Sequence, residues 1–478
     1  SPHMTRQAAF TLNTLIVFGA TLALAACGGG GGDQVNTPPV QPSPMSTVYS
    51  GPISGFGSVI VNGMRFETVG ASLSDDDGSP VRLQDLALGM SVNIDGTVDD
   101  NTGRGRAKSL SLVHGNTGAI TSIDRSSQTI TVMGLTIKTN TATAYKNVAS
   151  FSALAVGDAV EVYGTLQSDN TVLATLIEKE TGTYTNRAVG RVSNLDTNAK
   201  TFKIGSLVVN YGTATVIGAL AEGRQIKVTA TQGSVNNVLI ANSIKVTDGA
   251  AYGSSVASGT FLKIKGVAEA VPINGLLTVS GTRVNVAQAT YEGGTSIVAG
   301  ALLEIKGTWD GTVLQASKVE LERNDRDNDG YIDRNELYGS VSSITTSNGK
   351  TLVVINGVTV DVTQAYFKNG SLAQLAVGVP VEVKGSVQGS VFIASKVEFK
   401  SGSNSSPGDF EYEQFGQVTD FVSVTNFKVN GVRVDALNAR FEHGTAANLA
   451  NGVYVEIKGA QNAQGVFIAR EVEFKTGR

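Results

Sequence analysis

Val59-Ile-Val61-Asn62-Gly63-Met-Arg-Phe66 decides the fold. Apolar residues alternate on both sides of Asn62-Gly63, so each arm buries one face as a β-strand does. Asn-Gly suits a two-residue type I′ turn, in which both central residues need φ > 0. The plan returns as Ile130-Thr-Val132-Met133-Gly134-Leu-Thr-Ile137, then as Phe202-Lys-Ile204-Gly205-Ser206-Leu-Val208. Leu277-Thr-Val279-Ser280-Gly281-Thr-Arg-Val284, Val353-Val-Ile355-Asn356-Gly357-Val-Thr-Val360 and Phe427-Lys-Val429-Asn430-Gly431-Val-Arg-Val434 follow. One hairpin written six times is the mark of a repeat protein.

Two further patterns recur after each hairpin. A leucine is followed three residues later by glycine, then by a strand that ends in glycine. Leu86, Gly89 and Gly96 are the first set; Leu375, Gly378 and Gly385 are the fifth. The third copy ends in Ala230 and the fourth starts from Ile297. The anchor glycines Gly89, Gly157, Gly223, Gly300, Gly378 and Gly452 stand roughly 70 residues apart. Downstream, an alanine precedes an apolar position by three, as in Ala107 with Leu110 and Ala394 with Val397. Each repeat thus supplies four or five short strands, with a helical turn before the leucine, which plugs one end. A unit of this size with one apolar face per strand suits a closed barrel, because closure removes sheet edges.

The expected fold class is all-β: a tandem array of about six small, OB-like β-barrels behind a signal peptide and a flexible tether. A small β-sandwich is the alternative for each unit. The barrels fall at 49–114, 115–183, 184–247, 259–322, 337–400 and 410–476. Glycine- and serine-rich stretches at 248–258 and 401–409 read as linkers, whereas the first three units join tightly. The tandem pattern over 50–475 resembles a family of bacterial lipoprotein repeats known only as a domain of unknown function, which implies no activity.

The N-terminus reads separately. Ser1-Pro2-His3-Met4 looks like an expression scar and start methionine. An apolar run from Leu12 to Ala26 has the length of a signal-peptide core and is short for a membrane span. It ends in Leu24-Ala25-Ala26-Cys27-Gly28, which resembles the lipobox of bacterial lipoproteins. The resemblance implies cleavage that leaves 1–26 behind and lipidation of Cys27. Glycine rather than aspartate after Cys27 implies the outer membrane, with the protein attached to it through the lipid. Cys27 is also the only cysteine, so no disulfide staples the fold. Residues 27–48 hold five consecutive glycines and four prolines and read as a tether. Fully extended, residues 28–46 reach about 60 Å.

The segment 323–336 carries the strongest chemical motif. Asp325-Arg-Asp327-Asn-Asp329-Gly330-Tyr331-Ile332-Asp333-Arg-Asn-Glu336 resembles the EF-hand calcium loop at each diagnostic position. By that resemblance Asp325, Asp327 and Asp329 give side-chain oxygens, Tyr331 its carbonyl, Asp333 a direct or water-mediated contact, and Glu336 both oxygens. The flanks depart from the EF-hand, because Val319-Glu-Leu321 reads as a strand. A lone loop favours a structural calcium ion that stiffens the junction between the fourth and fifth barrels. Asp75-Asp76-Asp77-Gly78 and Asp99-Asp100-Asn101 lack this spacing and read as solvated loops.

Composition narrows the function. Thirty-seven cations against 41 anions give a net charge of −4 and no basic stripe, which argues against nucleic acid. His114 and His443 stand alone, and no serine–histidine–acid or zinc spacing occurs, so no catalytic residues are assigned. Glu382 and Glu456 alternate with apolar residues and read as solvent faces. Phe410, Tyr412, Phe415, Phe421 and Phe427 read as core and hinge packing. The expectation is a non-enzymatic envelope lipoprotein with a glycan or protein partner at the cell surface. The alternative is an OB-type binder of glycan or single-stranded nucleic acid.

Overall fold

The Asn-Gly hairpin forms as its sequence demands. Asn62 and Gly63 take φ of 50° and 74°, and Val59 pairs with Phe66 across the turn. The computed structural model describes residues 46–68, 70–99, 103–248, 256–322, 335–400, 412–429, 431–461 and 466–474. Cys27, the tether up to residue 45 and loop residues Asp325, Asp327, Asp329, Tyr331 and Asp333 lie outside the described residues, and the last tether positions, from Ser46, open the first strand instead. Everything below concerns the unit that runs from Pro44 to Arg478.

The first repeat shows the plan: β1 (Ser46–Phe56), β2 (Val59–Val61), β3 (Met64–Glu67), β4 (Ser72–Asp75), β5 (Ser91–Asp99) and β6 (Arg104–Leu112). β1 bends at a bulge between Ile53 and Gly55. Its first half pairs antiparallel with β5 and its second half with β2. β3 runs parallel to β6, and β6 antiparallel to β5. The circuit β1-β2-β3-β6-β5-β1 is therefore closed, in the strand order of an OB-type barrel. The alternating residues fill it: Tyr49, Ile53, Val61, Met64, Phe66, Val92, Ile94 and Leu110 are buried. Tyr49 and Phe66 meet edge to face at 5.2 Å.

The expected plug is present. Leu86 is buried after the 3₁₀ turn Leu83–Asp85, and Leu154, Leu375 and Leu449 follow turns Phe151–Ala153, Leu372–Gln374 and Ala446–Asn448. The glycine that ends the next strand has a steric cause. At Gly96, Gly164, Gly307, Gly385 and Gly459 the register slips by a bulge. A Cβ there would lie 2.0–2.3 Å from a carbonyl oxygen of the last strand. The third repeat, with Ala230 in that place, has no bulge in this pair. Its first strand splits into Asn186–Arg191 and Ser193–Asp196, and its last into Val238–Ile240 and Ser243–Val246. In the fourth repeat the hairpin joins the first strand through one bridge, Ala268 with Val279.

The barrels do not hang as a string with linkers between free units. Ser46–Tyr49 of β1 pair in parallel with Leu262–Lys265 of barrel 4. Gly55 and Phe56 pair in parallel with Glu336 and Leu337 of barrel 5. Barrels 1, 4 and 5 therefore share one 18-stranded sheet. Barrels 2 and 3 share another through Thr117 and Arg187, and Ala144 bridges to Gly389 of barrel 5. Core residues of barrels 1 and 5 form one cluster together with Tyr163 and Leu176 of barrel 2. Barrel 6 keeps a sheet and a core of its own.

Candidate functional site

The outer side of barrel 1 gathers the chemistry that its neighbours bring. At the end of β4 the Asp75 carboxylate accepts the backbone N–H groups of Asp77 and Ser79, at 3.0 and 2.8 Å, and so fixes the Asp75–Gly78 turn. His114 follows β6. Its Nε2 lies 3.1 Å from Asp75 Oδ2, and its Nδ1 lies 2.5 Å from Oε1 of Glu161 in barrel 2. Barrel 3 contributes cations: Lys227 Nζ donates to Asp76 at 2.6 Å and to Asp77 at 2.8 Å. Arg187 stands 3.7 Å from Asp77 and 3.8 Å from Glu161, and Lys245 donates to the Asp76 carbonyl at 3.3 Å. Glu269 of barrel 4 faces Arg191 at 3.3 Å and accepts from the Gln225 amide. Charges of both signs thus alternate across four barrels.

The Asp75–Gly78 turn is therefore no solvated loop, which corrects the sequence reading. The repeated glutamates are also not solvent faces. Glu456 is 2% exposed, Glu161 and Glu304 are buried, and Glu382 is held 2.6 Å from Lys400. Strand alternation separates inward from outward, and in this chain outward often means against a neighbouring barrel. His443 is solvated, and Phe427 is core, packed with Phe421 at 6.1 Å.

The network shifts its titrating groups. Burial opposes the charged form of His114, but the hydrogen bond and charge of Glu161 outweigh it and hold the pKa above its ordinary value. Burial raises Asp77, yet Lys227 and then Arg187 bring it below the usual carboxylate range. Burial pushes Glu178 and Glu269 up, against the cations beside them.

Asp75, Asp76, Asp77, His114, Lys227 and Glu269 border a cavity of about 660 Å³ between barrels 1, 2, 3 and 4. Among the described residues no cluster of three or more His, Cys, Asp or Glu is placed to hold a metal. Of the expected calcium ligands, Glu336 is described. It lies on the first strand of barrel 5, where the Tyr338 hydroxyl donates to it at 3.1 Å and Lys384 stands 4.0 Å away. None of the cavity's polar groups was singled out as a site from sequence. The signal available was the density of three acids before glycine, with lysines on outward positions of Gln225–Ala230 and Ser243–Val246.

Comparison with family models places this repeat. The model described as "Domain of unknown function (DUF5666)" matches residues 117–178, 253–320, 338–398 and 415–473. The chain belongs to this family. The DUF5666 matches cover barrels 2, 4, 5 and 6; barrels 1 and 3 carry the same three patterns outside them. No curated protein matches the chain. A solved structure titled "drosophila Unr CSD456" is similar at 12% identity, spanning 47% of this chain and 99% of that one, with a TM-score of 0.15. A likeness of that size carries no argument about function.

Proposed function

We propose that this DUF5666 protein is a non-enzymatic envelope lipoprotein, held at the outer membrane by a lipid on Cys27, that presents its barrels to a protein or glycan partner at the cell surface. The observation that carries this reading is a lipobox-like Leu24-Ala25-Ala26-Cys27 and a glycine–proline tether ahead of closed barrels. Two or more acyl chains anchor stably where one does not. The tether is long enough to lift the barrels clear of the headgroups. Metabolic labelling with radioactive palmitate tests it: the chain should take up label and Cys27→Ser should not. Labelling that survives Cys27→Ser would overturn the anchor.

The reading includes a structural calcium ion in the loop between Leu314–Leu321 and Asn335–Ser347. Asp325, Asp327, Asp329, Asp333 and Glu336 would supply carboxylate oxygens and Tyr331 a carbonyl, a donor set that suits calcium. The end of the loop abuts barrel 1: Asn335 donates to the Ser54 carbonyl at 3.1 Å. An ion there would stiffen the junction of barrels 4 and 5 and, through Asn335 and Glu336, their seam with barrel 1. Calorimetry should give one site, with a dissociation constant on the order of 10⁻⁴–10⁻³ M as in extracellular modules. Asp327→Asn with Glu336→Gln should abolish it. Absence of heat from the parent chain at millimolar calcium would reduce the loop to an acidic spacer.

A further inference from the structure

The cavity between the first four barrels has a floor unlike the rest of its lining. Along β1, β5 and β6 the inward residues Tyr49, Ile94 and Leu110 belong to the barrel core, so the residues between them face outward. Register sets these outward residues in rows across the three strands. Ser50 stands beside Asn93, and Asn93 beside Ser111; Asp95 stands beside Ser109 one row along. All of them line the cavity.

Among the described residues, Ser50, Ser91, Asn93, Ser109 and Ser111 make no side-chain hydrogen bond to another protein group. Ser50 is 6% exposed and lines the cavity. A serine hydroxyl at a cavity wall can both donate to and accept from a ligand. The charged groups at the cavity wall are already matched, His114 by Asp75 and Glu161, and Lys227 by Asp76 and Asp77. Val48, Pro52 and Val113 add apolar surface beside the hydroxyl rows. The volume of about 660 Å³ falls in the range of roughly 300–1,000 Å³ over which proteins enclose small ligands.

We propose that this cavity is a binding site for a neutral polyhydroxylated ligand, a mono- or disaccharide, seated on the Ser50–Asn93–Ser111 row. Sugar hydroxyls donate and accept as serine hydroxyls and the asparagine amide do, and the C–H faces of a pyranose suit the valines and the proline. The site is not the strand 2–3 face that OB-type barrels commonly use; it lies on the β1-β5-β6 side and needs the other barrels to close it. It rests on the glycan reading of the proposed function and gives it a site, but does not depend on the anchor or the calcium ion.

Saturation-transfer NMR on the full chain tests it, with maltose, cellobiose, lactose and chitobiose as probes and citrate and spermidine as charged controls. At least one disaccharide should receive saturation, and neither control should. Asn93→Leu with Ser111→Leu, which makes the floor apolar without touching the barrel core, should weaken that binding at least tenfold with the thermal midpoint kept. If the leucine pair disturbs folding, Ser109→Ala with Ser111→Ala serves, with a smaller loss of severalfold. No transfer to any of the four disaccharides overturns the proposal. So does transfer that folded variants leave unchanged, or transfer confined to citrate or spermidine.

Discussion

Barrels 1 and 6 are the same repeat put to opposite uses. Both close the same circuit, and both bury their alternating residues. They differ on the outside. On the second half of β1, Gly55 lies against barrel 5, where a Cβ would come 2.1 Å from the Glu336 carbonyl oxygen. Along the same stretch of barrel 6's first strand (Tyr412–Ser423), Val422 is 72% exposed. The anchor glycines make the same point. Gly89, Gly157, Gly223, Gly300, Gly378 and Gly452 all take φ of 79–93°, so each needs glycine for its turn. A Cβ on Gly89 would also meet the Thr175 carbonyl of barrel 2 at 2.5 Å, while Gly157, Gly223, Gly300 and Gly452 have open space. The repeat's inward pattern makes a barrel; its outward residues decide whether that barrel is a hub or a free end.

The sharpest way to break this contrast is Gly55→Val. Overpacking against side chains costs roughly 1–3 kcal/mol, and here the obstacle is backbone, so about 3 kcal/mol of destabilisation in urea unfolding is expected. Val422→Ala on barrel 6 should change stability by less than about 0.5 kcal/mol. Equal effects at the two positions would remove the distinction. Lys227→Met comes next. It leaves Asp76 and Asp77 without their nearest cation, and because both are partly exposed the cost should be about 2 kcal/mol, below the 3–5 of a fully buried pair. Urea midpoints of the parent and variant measure it; an unchanged midpoint would mean that the network does not hold barrel 3 to barrel 1.

Gly89→Ala against Gly452→Ala isolates the contact from the turn. Both lose the favourable positive φ, roughly 1 kcal/mol, and Gly89→Ala should cost about 1 kcal/mol more for the clash with barrel 2. Identical thermal shifts would say that barrel 2 is not seated there. The smallest effect concerns pH. The His114 pKa is raised in the folded chain, so its stabilisation is fully present below the ordinary value of 6.5 and is lost as pH rises through the folded value. Thermal midpoints of the parent should therefore fall on the alkaline side of pH 6.5, and His114→Gln should flatten that fall. Asp77 acts in the other sense: its lowered pKa gives stability above 3.8 that disappears on acidification. A parent whose alkaline slope His114→Gln leaves intact would place the titration elsewhere.

The barrel was legible because its causes are local. The Asn62-Gly63 turn, the two-residue alternation, the plugging leucine and the glycine at the bulge all act within one repeat. What escaped sequence reading joins residues far apart in the chain. Gly55 meets Glu336, Asp76 meets Lys227, and His114 meets Glu161, each across a barrel boundary. Alternation cannot tell an outward residue in water from one against another barrel, so Asp75–Asp77 and Glu161 read as solvated. Gly55 and Gly57, two glycines where the other repeats carry side chains, were the visible trace of that packing.

The central claim is that barrels 1 to 5 form one body around barrel 1. Small-angle X-ray scattering on residues 44–478 tests it most directly. A radius of gyration near the ~22 Å of a compact chain of this length, raised by a few ångström for barrel 6, is the expected result. A value roughly twice that, the mark of barrels strung out on their linkers, would contradict it.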